Sequence, residues 1–244
     1  MSRVCFAVLM LVVPIGCGLS DYEKRMDEQR ERLKLFDEES ALLYDIIDMP
    51  KGKDAYGNEI KVPFEVLLRL PAGFSGRFEG PKAVYSSAKL PLYRFSSGKP
   101  DVNVLVAWAL AADKNAKAAP KADEVLPEDF RNRVRGALQD YITRTYSVSA
   151  NIPDFNQLKK DPRHVVRDGR PRTLDFESTS FDDPRQNRYM VYFETWPDRQ
   201  AAVIYQVPVQ QMGQYQRAMD VSLKTLEITG IAAAKREEFR SRPR

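Results

Sequence analysis

Cysteine and histidine are scarce in this sequence, with two cysteines, Cys5 and Cys17, and a single histidine, His164, among 244 residues. A tetrahedral zinc site draws on three or four His, Cys or carboxylate ligands, and a disulfide scaffold needs several paired thiols, so neither organises this chain. Long apolar runs are lacking too: Val4 to Val13 is about ten residues, against the roughly 20 that a membrane-crossing helix needs. Gly-rich phosphate loops of the common types are absent. Gly73-Phe74-Ser75-Gly76 lacks the Gly-x-Ser-x-Gly spacing of a nucleophile elbow and reads as a turn. Charge of one sign is missing as well: 38 basic against 34 acidic residues leave a net charge of +4. The basic segments do not interleave aromatics with cations as a single-strand groove would, which argues against a nucleic-acid partner. Nothing in these patterns calls for a cofactor.

What is present begins with a secretory pattern. Arg3 precedes the apolar run Val4 to Val13, and Pro14 and the small Gly16 follow it, the arrangement of an exported leader. Val13-Pro14-Ile15-Gly16-Cys17 resembles the lipobox of bacterial lipoproteins, with Pro14 where that family favours an aliphatic residue. The resemblance implies thioether-linked diacylglycerol on Cys17, cleavage before it, acylation of the new amino terminus, and a location in the cell envelope facing the extracytoplasmic side. With Cys5 inside the leader, the mature chain would hold no thiol besides Cys17.

Behind Cys17, Ser20 is a candidate N-cap for a charged helix over 21–39, carrying a narrow stripe of Tyr22, Met26, Leu33 and Phe36 and spanning roughly 28 Å at 1.5 Å per residue. We read it as a spacer. A Lys/Gly/Asp/Pro-rich loop from Met49 to Asn58 follows, and the globular part is expected to open near Ile60. The expected divisions are therefore a signal peptide at 1–16, anchor, spacer and loop at 17–59, a globular α/β domain at 60–230, and a basic tail at 231–244.

With 43% hydrophobic residues, the globular part can bury a proper core. Alternation predicts strands at Pro63 to Leu70, Leu92 to Phe95, Val102 to Leu110, Thr173 to Phe181, Arg188 to Trp196 and Ala201 to Val207, the third of these central and the last two an antiparallel hairpin. Pro127 opens a helix whose Phe130, Val134, Ala137, Leu138 and Tyr141 share one face. Pro208 opens another bearing Met212, Tyr215, Met219 and Leu226, with Gly230 as its stop, and the polar stretch Asn151 to Arg172 reads as a connection. The fold class expected is α+β, a mostly antiparallel sheet covered by two helices and preceded by the charged helix.

Phe64-Glu65-Val66-Leu67-Leu68-Arg69-Leu70-Pro71-Ala72-Gly73-Phe74, together with Ala202 to Val207 running into Met212 to Ile228, resembles the PsbP-like α/β/α sandwich over roughly residues 60–228. That family includes binding and assembly factors, among them a photosystem II extrinsic subunit, a Ran-binding import factor and small bacterial lipoproteins. The resemblance runs through pattern and element order, implies a binding or assembly role, and brings no catalytic residue.

Among chemistry-bearing residues, His164 lies in a basic segment with Arg163, Arg167 and Arg170 and reads as an exposed loop histidine beside a candidate site for an acidic or phosphate-bearing partner. Asp175 and Glu177, two residues apart on one strand face, read as solvated positions. The last hairpin alternates Tyr189 and Phe193 with Tyr192 and Trp196, so one pair is expected to escape the helix-covered core, and Tyr192 with Trp196 is the candidate contact pair. The function expected is a non-enzymatic, membrane-anchored binding or assembly module, with membrane lipid and an envelope protein as partners. The alternative is an exported hydrolase or transferase using carboxylates and tyrosines.

Overall fold

The computed structural model describes residues 17–49, 64–72, 79–84, 90, 92–99, 101–112, 124–167, 170–197 and 199–230. The leader, the loop after Met49, the Gly73–Gly76 turn and the tail from Ile231 therefore lie outside the described residues. The chain divides into two compact units, Met1–Ala41 and Leu42–Arg244.

In the first unit, helix α1 runs from Cys17 to Ala41, 25 residues or about 37 Å. Among the described residues it is already helical at Cys17, so Ser20 lies inside it and is not its cap. Tyr22, Leu33 and Leu35 are exposed, and an exposed Arg30–Asp27 pair at 3.4 Å spans one turn of its surface.

The second unit is α+β, with mostly antiparallel sheets. The larger sheet contains β3 (Glu79–Val84), β4 (Leu92–Ser96), β5 (Asn103–Ala111), β6 (Glu124–Val125), β7 (Lys159–Arg167), β8 (Arg170–Asp182), β9 (Asn187–Thr195) and β10 (Arg199–Pro208). Its order is β3-β4-β5-β10-β9-β8-β7, with β6 paired parallel to β5. As expected, the apolar β5 is interior, and β9 and β10 form an antiparallel hairpin in which Val203 faces Tyr192.

Helix α2 (Pro127–Tyr146) covers one sheet face. Pro127 has no N–H to lose at the first helical position, Glu128 and Asp129 oppose the positive end of the helix dipole, and the helix exits through Ser147 at φ 56°. Phe130, Val134, Leu138 and Tyr141 pack on Leu105, Val191, Phe193 and Ile204. On the other face, Tyr215, Met219 and Leu223 of α3 (Met212–Lys224) pack with Val104, Val106, Phe176, Val203 and Tyr205.

A second sheet, β1 (Leu43–Met49), β2 (Phe64–Pro71) and β11 (Glu227–Gly230), shares that second core through Val66, Leu68, Leu70 and Ile228. Three expectations are corrected here. The segment Leu43–Met49 pairs with β2, so a unit opened at Ile60 would leave out one of its strands. The last helix stops at Lys224: Leu226 is a buried residue just outside it and Gly230 is paired with Phe64. Within the stretch read as a polar connection, Lys159–Arg167 is a strand, because its neighbour β8 extends back to Arg170 and supplies a full ladder from Lys159↔Ser178 to Arg167↔Arg170.

Candidate functional site

Strand β7 is the last strand of the larger sheet, and its sequence suits an edge. Pro162 cannot donate to a ladder, and Lys159, Lys160, Asp161 and Arg163 are charged, two features that discourage pairing with a further strand. The β7–β8 hairpin presents two chemically different faces.

On the α3 side, Val165, Leu174 and Phe176 are buried, and Arg163 lies in register with Leu174. Its guanidinium donates to Asp161 Oδ2 at 2.7 Å and to Asp220 Oδ1 of α3 at 3.1 Å, and lies 5.9 Å from the centroid of the Tyr192 ring. Burial works against its charge, but the hydrogen bond and charge of Asp161 and the charge of Asp220 outweigh it and hold its pKa above the usual value. Tyr192 is half-buried, edge-on to Phe176 and Tyr205, and burial pushes its phenol up to about 12 against the opposing influence of Arg163.

The expectation that one aromatic pair escapes the core is thus corrected: Tyr189 and Phe193 are buried under α2, while Tyr192 and Trp196 are half-buried against the other core. Of the candidate contact residues, the fold brings Arg163 and Tyr192 together and places Arg167 opposite Arg170 at the hairpin end. Trp196 sits at the β9–β10 turn, where its backbone N–H donates to Arg199 O at 2.8 Å. His164 is exposed on β7, not on a loop, with Nδ1 3.2 Å from Thr173 Oγ1.

The α2 side of the same hairpin holds a groove of about 430 Å³, lined by Pro127 and Arg131 of α2, Lys160 and Pro162 of β7, Asp175, Phe176 and Glu177 of β8, and Phe193 and Thr195 of β9. Arg131 pairs with Glu177, so Glu177 is not the simply solvated residue that alternation implied; Asp175 is exposed, as expected. Sequence patterning missed Arg131, Lys160 and Pro162 as members of one site, since they come from separate elements. Pro127 at the helix start, four residues before Arg131, was the one local signal.

A third polar cluster is internal. Gln206 Oε1 accepts from Asn103 Nδ2 at 3.0 Å and Tyr141 O–H at 2.9 Å, while its Nε2 donates to Tyr146. Asp183 accepts from the backbone N–H of Arg185 and Asn187 and from Tyr189 O–H. Burial is the first cause raising the phenol pKa values of Tyr141, Tyr146, Tyr189 and Tyr205, which makes these tyrosines poor proton carriers near neutrality. Among the described residues, no group of three or more His, Cys, Asp or Glu could hold a metal ion.

No family model matches the chain, and no curated protein matches it. Among solved structures, the solution structure of cyanobacterial PsbP (CyanoP) from Synechocystis is similar at 10% sequence identity, covering 67% of this chain and 86% of that one, with a TM-score of 0.34. The α+β class rests on the chain's own elements: a mostly antiparallel sheet with α2 over one face and α3 over the other.

Proposed function

We propose that this chain is a lipoprotein, held on the extracytoplasmic side of a cell-envelope membrane by diacylglycerol on Cys17, and that its compact unit is a non-enzymatic binding or assembly module. The observation carrying the reading is the sequence position of Cys17: it ends a lipobox-like sequence, and the described residues that follow it form a polar helix to Ala41. Among the described residues no helix is long and apolar enough to cross a membrane, so a lipid supplies the attachment that α1 does not. The partner surface in this reading is the α3 side of the β7–β8 hairpin, with Arg167 and Arg170 at its end, Arg163 held by two carboxylates beside Tyr192, and Trp196 at the β9–β10 turn. The cations of Arg167 and Arg170 suit an acidic or phosphate-bearing partner, while the charge of Arg163 is already met by Asp161 and Asp220 and ties the hairpin to α3.

The hydrolase or transferase alternative has less support, because Glu177 is engaged by Arg131 and five of the tyrosines have raised pKa values. Cys17→Ser tests the anchor. The variant is expected to leave the membrane fraction, and mass spectrometry of the native amino-terminal peptide is expected to find acylated Cys17. An intact Met1 start or an unmodified terminus in the native host would refute it. Arg167→Glu with Arg170→Glu tests the surface, through loss of cross-linked envelope protein from the anchored chain.

A further inference from the structure

Equal numbers of opposite charges line the groove between α2 and the β7–β8 hairpin, but they are not equally engaged. Arg131 and Glu177 pair with each other, and their side chains are only 16% and 35% exposed, which makes them a fixed wall. Lys160 and Asp175 are exposed and have no ion-pair partner among the described residues. The register sets Lys160 opposite Glu177 and Pro162 opposite Asp175, so the two free charges occupy diagonal positions on one sheet face. Phe193, in register with Glu177 and 2% exposed, provides an apolar floor, and Pro127 adds an apolar wall.

We propose that this groove is a binding site for a small dipolar ligand, one bearing an ammonium and a carboxylate on a short apolar body, as a free amino acid or a dipeptide does. The ammonium faces Asp175, the carboxylate faces Lys160, and the apolar part lies over Phe193 and Pro127. A simple anion would meet the carboxylates of Asp175 and Glu177, and a simple cation would meet Lys160 and Arg131, so the lining discriminates against both. A volume of about 430 Å³ lies within the range of small-ligand sites. The proposal deepens the binding-module reading by naming a ligand class for a second face of the hairpin. It does not depend on the anchor or on the arginine surface, because its test uses other residues.

The test is calorimetric and NMR titration of the full chain in detergent with four probes: leucine, alanyl-leucine, and the N-acetylated and C-amidated forms of alanyl-leucine. At least one free-ended probe is expected to bind saturably, with blocking of either terminus weakening binding about tenfold or more. Lys160→Gln and Asp175→Asn are each expected to weaken it similarly. Both positions are exposed, so the circular dichroism spectra should stay those of the parent. Preference between leucine and alanyl-leucine identifies whether an amino acid or a dipeptide fits. The proposal is overturned if no probe binds saturably up to about 10 mM, if blocked and free forms bind alike, or if the two folded variants bind as the parent does.

Discussion

Replacing Gln206 with leucine should unsettle this protein more than any exposed change, and the expected size can be worked out from the polar cluster beneath α2. Gln206 is 0% exposed, and one side chain serves Asn103, Tyr141 and Tyr146 at once. Leucine fills most of the volume but accepts and donates nothing, so the hydroxyl of Tyr141 and the amide of Asn103 lose the oxygen they share. An orphaned buried polar group costs about 1–3 kcal/mol. The loss is cushioned, because Tyr141 also has Arg94 and Tyr146 as hydrogen-bonding neighbours and Asn103 has further contacts. We therefore expect a loss of about 2–4 kcal/mol from a stability that in most domains is about 5–15 kcal/mol. For a unit of this size that lowers Tm by roughly 5–15 °C. Thermal unfolding followed by near-ultraviolet circular dichroism measures it. A double-mutant cycle with Tyr141→Phe isolates the shared bond, since removing both partners together should cost less than the sum of the two single changes. A Tm within about 1 °C of the parent, or single effects that add within about 0.5 kcal/mol, would refute the reasoning.

Three further outcomes follow from other parts of the fold. The Tyr192 phenol is raised to about 12 from its usual 10.0, so its contribution to stability is complete below pH 10.0 and declines as pH rises toward about 12; Tyr192→Phe should flatten alkaline unfolding over that window, and an unchanged profile would contradict it. Pro162→Thr restores an N–H donor to the edge strand β7 and should raise self-association, measured by light scattering, with unchanged monomer as the contrary result. A fragment of residues 42–230 should unfold cooperatively and at higher temperature than one of residues 60–230, which lacks β1; equal midpoints would show that the β1–β2 pairing adds nothing.

Legibility in the sequence followed the locality of the cause. Strand β5 could be read because Val104, Leu105, Val106 and Ala107 are apolar on both faces, and both faces are covered, one by α2 and one by α3. Helix α2 could be read because its proline, its acids and its apolar face all lie within 20 residues. The end of α3 could not. Met219 and Leu226 are seven apart, which suits a continuing helix, but Ser222 donates to Arg69 O at 2.6 Å and Thr225 Oγ1 accepts from Arg69 N at 2.9 Å. Those bonds reach a strand more than 150 residues earlier in the chain, and they turn Leu226 into the start of a third strand's path rather than a fourth helical turn.

The same distinction separates the two faces of the β7–β8 hairpin. Strand β7 escaped the patterning because only Val165 and Val166 among its nine residues are aliphatic, and an edge strand with one dry face needs little more. Beside it lies the half-buried Arg163, whose stem can cover apolar surface while the charge is met by Asp161 and by Asp220. Such an arginine carries no period-two signal, because its burial depends on a carboxylate 57 residues away. The groove is less legible still. Arg131, Lys160 and Glu177 read separately as charges on solvated faces, and they become one site only when the register sets Lys160 opposite Glu177 and α2 brings Arg131 against both strands. A cluster drawn from three elements, with a pair that neutralises itself and two charges left over, can be recognised from geometry alone. That is why the chemistry assigned to it has to be tested at Lys160 and Asp175, the two groove charges without an ion-pair partner among the described residues.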